Sequence, residues 1–185
     1  EEFYSKLQKE YKDTKIIKTH NGEAVVMRND SAKGVLIRGI DSEKIKEIDF
    51  FKKNIIDGKL FDFVDGTIIL GKHLAIELGV VVGDKINIMS SSSVSTPLGA
   101  IPKQSSYKIA AVFSSGLYEF DKNVAFFNLM DSLSFFEKTV DDISLEIFLQ
   151  NPLNADKYKK EIQSRDSNFY VNSWSDLNKS FFSAL

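Results

Sequence analysis

Histidine is the side chain best suited to acid–base chemistry near neutral pH, and this chain has two, His20 and His73. Neither has a neighbour at a spacing typical of metal ligands, such as His-x-x-x-His. His20 precedes Asn21-Gly22, a dipeptide typical of tight turns, and His73 falls in the first turn of a predicted helix. We expect both histidines at the surface, with no role in catalysis or metal binding.

Carboxylates give no stronger indication of catalysis. Those within Asp41–Asp49 are interleaved with lysines, which is typical of a solvated helix surface. Asp62, Asp65 and Gly66 lack the spacing and the final glutamate of an EF-hand calcium loop. The glycine pair at the ends of Gly79–Gly83 lacks the Gly-Lys-Ser/Thr of a phosphate-binding loop. We therefore expect no enzyme activity and no cofactor.

The segment Ser90–Ser106 carries residues suited to binding rather than to catalysis. It separates two predicted strands, Lys85–Met89 and Tyr107–Phe113, and exceeds the roughly two to five residues of most hairpin loops. Its apolar and proline residues lie at or near the predicted tip: Val94, Pro97, Leu98, Ile101 and Pro102. Prolines reduce the conformational freedom that a loop loses on binding. We interpret the segment as a long, stiffened, apolar-tipped projection that binds a partner.

The composition is ordinary for a globular protein: 185 residues, 43% hydrophobic and 27% charged, with a net charge of −2. No basic stripe is present, which argues against nucleic acid as the main partner. The absence of cysteine excludes disulfides and thiolate metal sites. The longest apolar runs are much shorter than the roughly 20 residues of a membrane span. Because the chain begins with Glu1 and ends at Leu185 within an apolar helical pattern, we expect a fragment of a longer protein.

Apolar periodicity predicts the elements that must position the projection. Strands and helices alternate at both ends of the chain, whereas strands dominate the middle third. The predictions include a hairpin turned at Asn21-Gly22, one continuous helix from Asp41 to about Ile56, and a last strand over Phe169–Asn172. We expect an α+β chain of two subdomains. Residues 1–60 and 140–185 would form a split β-α-β subdomain, and residues 61–139 an inserted β-rich lobe with the hairpin 90–106.

Several stretches of the chain resemble a known family. Residues 66–89 (GTIILGKHLAIELGVVVGDKINIM), followed by TPLGAIPKQ and YKIAAVF, resemble the periplasmic domain of the LolC/LolE family of lipoprotein-releasing ABC transporter permeases, which are MacB-like transporters. Residues 34–41 (GVLIRGID) and 173–185 (SWSDLNKSFFSAL) resemble the stretches before the family's first helix and before its second transmembrane helix. The first pattern is shared by many MacB-like domains, whereas the TPLGAIP insert is typical of the subunit that recruits the lipoprotein carrier.

The resemblance implies a fold and a function. The fold would be that of a MacB-like periplasmic domain, with a split β-α-β (porter-like) subdomain and an inserted β-rich (sabre-like) lobe that bears a long hairpin hook. The parent would be an inner-membrane permease whose domain projects into the periplasm. It would work with a cytoplasmic ABC ATPase and a second permease subunit, and would pass lipoproteins to a soluble periplasmic carrier, LolA. The domain itself would bind the carrier and catalyse nothing.

The same resemblance assigns carrier-binding residues by motif. The hook comprises Val94, Thr96, Pro97, Leu98, Gly99, Ala100, Ile101 and Pro102. The hook base comprises Asn87, Lys103, Gln104 and Ser105. Relatives tend to carry arginines around the base, where this chain has Asn87, Ser105 and Ser106, and a basic residue is common at the position of Ala100. The electrostatic share of carrier binding would then be smaller, or redistributed onto Lys103 and Lys108.

Three other interpretations stay open. The chain could belong to a different MacB-like permease, which exports another substrate or transmits force without a carrier. It could be a peptidase or a glycan-active enzyme, which would require a pocket of convergent carboxylates with perturbed pKa values. The hairpin could also be a surface loop without a special function.

Overall fold

The computed structural model describes residues 2–96, 99–165 and 169–177. Its strands are β1 (Lys15–Arg28), β2 (Ser31–Ile40), β3 (Ile55–Gly58), β4 (Thr67–Gly71), β5 (Lys85–Thr96), β6 (Gly99–Phe113), β7 (Val124–Asn128) and β8 (Ser144–Phe148). Its helices are α1 (Glu2–Glu10), α2 (Asp49–Asn54), α3 (Lys72–Leu78), α4 (Tyr118–Asn123), α5 (Leu129–Phe135), α6 (Ala155–Arg165) and α7 (Trp174–Leu177). The chain divides into two compact units, one formed by Glu1–Ile16 and Glu146–Leu185 and the other by Ile17–Leu145.

Six strands close into a ring of pairings in the order β2–β7–β4–β6–β5–β1, and β1 pairs again with β2. The β2–β7 and β4–β6 pairs are parallel, and the other four are antiparallel. A sheet that closes on itself leaves no unpaired edge, and alternate side chains of each strand fill its interior. We call this closed sheet the barrel. Strand β3 adds to β6 outside the ring.

The unit boundaries differ from the expected subdomain boundaries. Residues 17–60 and 140–145, expected in the split β-α-β subdomain, lie in the same unit as the middle of the chain. Strand pairing explains the difference, because β1 pairs with β5 and β2 pairs with β7. The first hairpin therefore completes the barrel instead of contributing to a separate subdomain.

Strands β4 and β7 are buried on both faces. One apolar cluster contains Ile68, Leu70, Ala125 and Phe127. A second cluster contains Ile69, Val124 and Phe126, together with Ile45 and Phe51. Phe51 belongs to α2, and its ring meets that of Phe126 at a centroid distance of 4.8 Å. Because these strands are covered on both sides, their sequences are nearly continuous apolar runs rather than alternating ones.

Strand β1 runs without interruption through Asn21-Gly22, so the hairpin predicted there is wrong. The turn lies at Asn29 and Asp30, between the paired residues Arg28 and Ser31. Asn29 has a φ of 51°, a left-handed conformation that asparagine tolerates in two-residue hairpin loops. Glycine is needed at position 22 for another reason, because a Cβ there would lie 2.6 Å from the ring of Phe136.

Two further element predictions are wrong. The continuous helix expected from Asp41 to Ile56 is a 3-10 turn at Lys44–Glu47, followed by α2 and then β3. The strand expected at residues 169–172 is irregular backbone. The backbone of this segment bonds to a side chain instead of to a neighbouring strand. The Gln163 Nε2 donates to the Phe169 carbonyl (2.6 Å), and the Gln163 Oε1 accepts from the Val171 N–H (3.0 Å).

The unit formed by Glu1–Ile16 and Glu146–Leu185 contains α1, α6 and α7. The rings of Phe3 and Phe169 stack at 4.1 Å, and the Lys159 ammonium donates to the Asp176 carboxylate at 2.6 Å. Residues 178–185, the end of the stretch that resembles the family, lie outside the described residues. Within the described ranges, no helix has both the length and the apolar character needed to cross a membrane.

Candidate functional site

Strands β5 and β6 continue past the barrel as a two-stranded ribbon. The pairing of β1 with β5 ends at Ser90, and the pairing of β4 with β6 begins at Lys108. Between these points β5 and β6 pair with each other as far as Thr96 and Gly99. We call residues 91–96 and 99–102 the distal hairpin, and residues 85–90 and 103–108 the hairpin base. At about 3.3 Å per residue, the distal hairpin extends roughly 20 Å.

The segment expected as a long loop is therefore mostly paired strand. Only positions 97 and 98 separate the two strands, and the predicted hook residues Pro97 and Leu98 lie outside the described residues. Pro102 is paired opposite Ser93, and proline is tolerated here because both ribbon strands have an outer edge. Apolar periodicity missed these strands because the segment is rich in serine and its apolar residues do not alternate with polar ones over a strand length.

The register defines the end of the distal hairpin. Position 94, a valine, lies opposite Ile101, and Thr96 lies opposite Gly99. Ile101 is 52% exposed, whereas the structure describes the backbone alone at Val94, Thr96 and Ala100. Gly99 has a φ of 118°, which only glycine adopts readily, so its identity follows from the turn. Ile101 is thus a large exposed apolar side chain on this projection.

Successive residues of a strand face opposite sides, which gives the hairpin base two faces. Asn87 and Gln104 are exposed on one face, and the Gln104 amide lies 3.8 Å from the Met89 sulfur. Lys103 and Ser105 are half-buried on the other. The structure thus brings Asn87 and Gln104 together, and separates them from the other two predicted base residues.

The half-buried face leads into the barrel. Tyr107, two residues beyond Ser105, is buried, and this burial raises the pKa of its hydroxyl to about 12. The Asp131 carboxylate adds to the increase in pKa, and a hydrogen bond with Ser105 partly offsets it. Lys103 donates from its ammonium to the Ser134 carbonyl at 2.6 Å. The predicted base residues on this face are therefore engaged within the chain.

The exposed face carries two opposed lysines, and the sequence indicates a role for one of them. Lys85 lies opposite Lys108 in the register, and both side chains are exposed. Directly opposed residues have Cβ atoms about 5 Å apart, and like charges at this distance destabilise a sheet. Lys108 was expected to contribute charge, whereas Lys85 was missed. Lys85 lies two residues before Asn87 on the same strand, and this spacing places both side chains on the same face. The spacing could have indicated Lys85 from the sequence.

His20 lies inside the unit, so its predicted surface position is wrong. It is 6% exposed, and its Nδ1 lies 2.8 Å from the Ser132 Oγ. Burial lowers the pKa of His20, the Asp142 carboxylate opposes this effect, and the Lys138 ammonium adds to it. The ring of His73 packs against that of Tyr118, at a centroid distance of 4.5 Å. In the part of the chain that the structure describes, no three carboxylate or histidine side chains are grouped closely enough to hold a metal ion.

The chain is similar to curated proteins along most of its length, although no family model matches it. It is 27% identical over 170 residues to the lipoprotein-releasing system transmembrane protein LolC of Neisseria meningitidis serogroup B. That alignment covers 89% of the chain and 41% of the relative. LolC of Xylella fastidiosa is 27% identical over 108 residues, which are 57% of the chain and 26% of the relative. The chain thus spans less than half the length of these relatives.

A solved structure supports the fold at a lower level of sequence similarity. The extracellular domain of the noncanonical ABC-type transporter YknZ from Gram-positive bacteria superposes with a TM-score of 0.55 and 12% sequence identity. The superposition covers 89% of this chain and 82% of that domain. At this identity the likeness establishes a shared mixed α/β fold and nothing about partners. Together, the curated relatives and this neighbour confirm the resemblance of the chain to the periplasmic domain of the LolC/LolE family of lipoprotein-releasing permeases.

Proposed function

We propose that this chain is the periplasmic domain of an inner-membrane permease that releases lipoproteins, and that its distal hairpin recruits a soluble, LolA-like lipoprotein carrier. In this proposal the domain acts by binding and not as an enzyme. The remainder of the permease couples it to a cytoplasmic ABC ATPase and to a second permease subunit, identical or paralogous. The 27% identity to proteins named for lipoprotein release supports this assignment.

The observation that carries the proposal is the ribbon itself. An isolated two-stranded hairpin is only marginally stable in water, so a projecting ribbon of this length calls for an explanation beyond folding. Its exposed Ile101 contributes nothing to the core of the barrel. A partner that packs against Ile101, and against Leu98 by the family motif, would give these apolar residues a function. Residues at the centre of such contacts usually account for most of the binding energy.

The hairpin base supplies a second part of the proposed surface. Asn87 and Gln104 would contribute hydrogen bonds, and the opposed Lys85 and Lys108 would contribute positive charge. A like-charge pair costs stability within the chain, and an acidic patch on the carrier would neutralise it. The charge that relatives carry as arginines would thus be supplied by two lysines on the exposed face.

The shared fold with the YknZ domain favours one alternative. In this alternative the chain belongs to a MacB-like exporter that transmits movement through its periplasmic domain and binds no carrier. The two proposals differ at the distal hairpin, which would contact a carrier only in the first. Position 101 is therefore the most informative position for a test.

Photo-crosslinking in the full-length permease tests the proposal. A photoreactive phenylalanine analogue would replace Ile101 in cells that produce the carrier, and Ile76 in a control strain. Ile76 is 65% exposed on α3 and lies outside the proposed surface. We expect a crosslinked product at position 101 that mass spectrometry identifies as the carrier, and none at position 76. Equal crosslinking at both positions, or none at position 101, would favour the carrier-free exporter.

A further inference from the structure

The ribbon loses its regular register at one place, between the pairs Met89–Gln104 and Ser93–Pro102. Residues 90–92 of β5 lie there opposite a single residue of β6, Lys103. Extra residues on one strand interrupt the ladder and bend the ribbon. The pairing of β1 with β5 also ends here, at Ser90. Lys103 therefore lies at the joint between the barrel and the distal hairpin.

The Lys103 side chain turns back from this joint to the end of α5. Its Nζ donates to the Ser134 carbonyl at 2.6 Å and lies 4.0 Å from the Glu137 carboxylate. The Ser134 carbonyl also accepts the Glu137 N–H at 3.3 Å. The last carbonyls of a helix carry partial negative charge, so the Lys103 ammonium is a favourable second donor to this carbonyl. The side chain of Lys103 is 30% exposed in this position, which leaves part of its charge accessible to solvent.

Glu137 occupies a position that glutamate does not favour. It follows the C-terminus of α5 with a φ of 56°, and the next N–H, that of Lys138, bonds back to the Leu133 carbonyl at 2.8 Å. Glycine is the usual residue at this position, since it adopts a left-handed conformation without strain. A carboxylate at the negative end of a helix is also unfavourable. The nearby Lys103 ammonium provides a physical reason for glutamate here.

Helix α5 is itself held firmly on the barrel. Ser132 is fully buried and bonds to His20 of β1. Gly39 of β2 packs against Ser132 so closely that a Cβ at Gly39 would lie 2.4 Å from the Ser132 Cβ. The rings of Phe135 and Phe136 are buried beside this contact. A bond from the joint to α5 therefore connects the hairpin to a fixed part of the unit.

We infer that Lys103 is a positioning residue, which fixes the direction in which the distal hairpin leaves the barrel through its hydrogen bond to the Ser134 carbonyl and its ion pair with Glu137. It is then not a carrier contact, although the family motif assigns it to the hook base. The benefit of this positioning for carrier binding rests on the proposed function. A projection with a fixed direction loses less conformational freedom when it binds a partner. The positioning itself does not depend on a carrier and can be measured without one.

Distance measurements between spin labels test the inference directly, because the chain has no native cysteine. Labels at Ser95→Cys on the distal hairpin and Met130→Cys on α5 would report the direction of the hairpin. We expect a single narrow distance distribution in the otherwise unchanged chain and a broad one with Lys103→Met. Lys103→Arg should restore the narrow distribution, since arginine can still donate to Ser134. Gln104→Met is the matched control on the opposite face, and should leave the distribution narrow.

Carrier titration then separates positioning from contact. Lys103→Met should weaken carrier binding on the order of threefold to tenfold, with an unchanged dependence of the affinity on salt concentration. A distance distribution that stays narrow in Lys103→Met overturns the inference, whatever the carrier does. Absence of carrier binding by the unchanged chain would contradict the proposed function instead, and would leave the result from the spin labels standing.

Discussion

Neighbouring residues of β6 have different surroundings although they are adjacent in sequence. Gln104 faces solvent beside Met89, whereas Lys103 reaches the end of α5 and Ser105 faces the barrel. The direction of a side chain, not its proximity to the hairpin, therefore decides which residues can meet a partner. Three predictions follow from the surroundings of single residues.

The first prediction concerns the apolar contact. Ile101→Asp should weaken carrier binding by about 2 kcal/mol, or roughly thirtyfold, because it places a charge where an apolar contact is proposed. Isothermal titration of the carrier into the chain measures the change. Ile76→Asp introduces the same charge at an exposed isoleucine of α3, and should leave the affinity unchanged. Equal losses for both variants would indicate a general effect of charge.

The second prediction concerns the opposed lysines of the hairpin base. Lys108→Glu should stabilise the chain by a few tenths of a kcal/mol up to about 1 kcal/mol, since it replaces a like-charge pair with Lys85 by an opposite-charge pair. The same change should weaken carrier binding and reduce its sensitivity to salt. Urea unfolding and titration at two salt concentrations measure the two effects. A variant that is stabilised and binds the carrier as well as the unchanged chain would remove Lys108 from the proposed surface.

The third prediction concerns the buried histidine. Burial lowers the pKa of His20 in the folded chain, so at moderately acid pH the unfolded chain binds a proton that the folded chain does not. Stability should therefore be unaffected well above pH 6.5 and should fall as the pH decreases below about 6.5, the ordinary pKa of histidine. Each unit of difference in pKa corresponds to about 1.4 kcal/mol.

Urea unfolding of the chain and of His20→Gln between pH 8 and pH 5 measures this linkage. Glutamine can still hydrogen-bond to Ser132 but does not titrate, so the difference in stability between the two proteins isolates the histidine. As the pH falls, the free energy of unfolding of the unchanged chain should decrease relative to that of the glutamine variant. A difference that stays constant across this range would show that His20 has the same pKa in both states.

At the scale of elements, helix α5 and strand β2 are packed with no space between them. A Cβ at Gly39 would meet Ser132, whereas a Cβ at Gly34, five residues earlier in the same strand, meets nothing within 4 Å. Gly39→Ala should therefore destabilise the chain by about 1–3 kcal/mol through overpacking. Gly34→Ala should be neutral or slightly stabilising, because alanine reduces the entropy of the unfolded chain. Thermal unfolding of both variants measures this, and equal melting temperatures would contradict the packing described for α5.

The elements also show which features can be predicted from sequence. The strands of the barrel that bury one or both faces, such as β4 and β7, follow from their apolar patterns. The distal hairpin does not follow from such a pattern, because its serine-rich sequence carries no alternation of apolar and polar residues. Asn21-Gly22 shows the reverse case, in which a local turn pattern is present but no turn forms. The glycine is required because the ring of Phe136 packs against it in the folded chain. Contacts between distant parts of the chain decide these cases.

The candidate site was predictable in part for a similar reason. The position of the projection and its exposed Ile101 follow from the sequence and from the family motif. The separation of Lys103 and Ser105 from Asn87 and Gln104 depends on the register of β5 and β6, with its irregularity opposite Lys103. No local pattern specifies such an irregularity. The positive charge that Lys85 adds beside Lys108 also depends on this register.

At the scale of the whole molecule, the proposal makes the distal hairpin a dispensable element for folding and an essential one for binding. The hairpin lies beyond the paired barrel, and both apolar clusters of the core lie outside it. A variant in which Asn-Gly replaces residues 91–102 would join Ser90 to Lys103 by a two-residue turn that suits antiparallel strands. We expect this variant to unfold at the same temperature as the unchanged chain.

Titration of a purified LolA-like carrier into the chain and into this shortened variant measures whether the distal hairpin recruits the carrier. We expect measurable binding to the chain and a loss of at least about a hundredfold in affinity, or close to 3 kcal/mol, in the shortened variant. Circular dichroism spectra of the two proteins would establish that the barrel is retained. Equal carrier affinities for the chain and the shortened variant would show that the distal hairpin does not recruit the carrier.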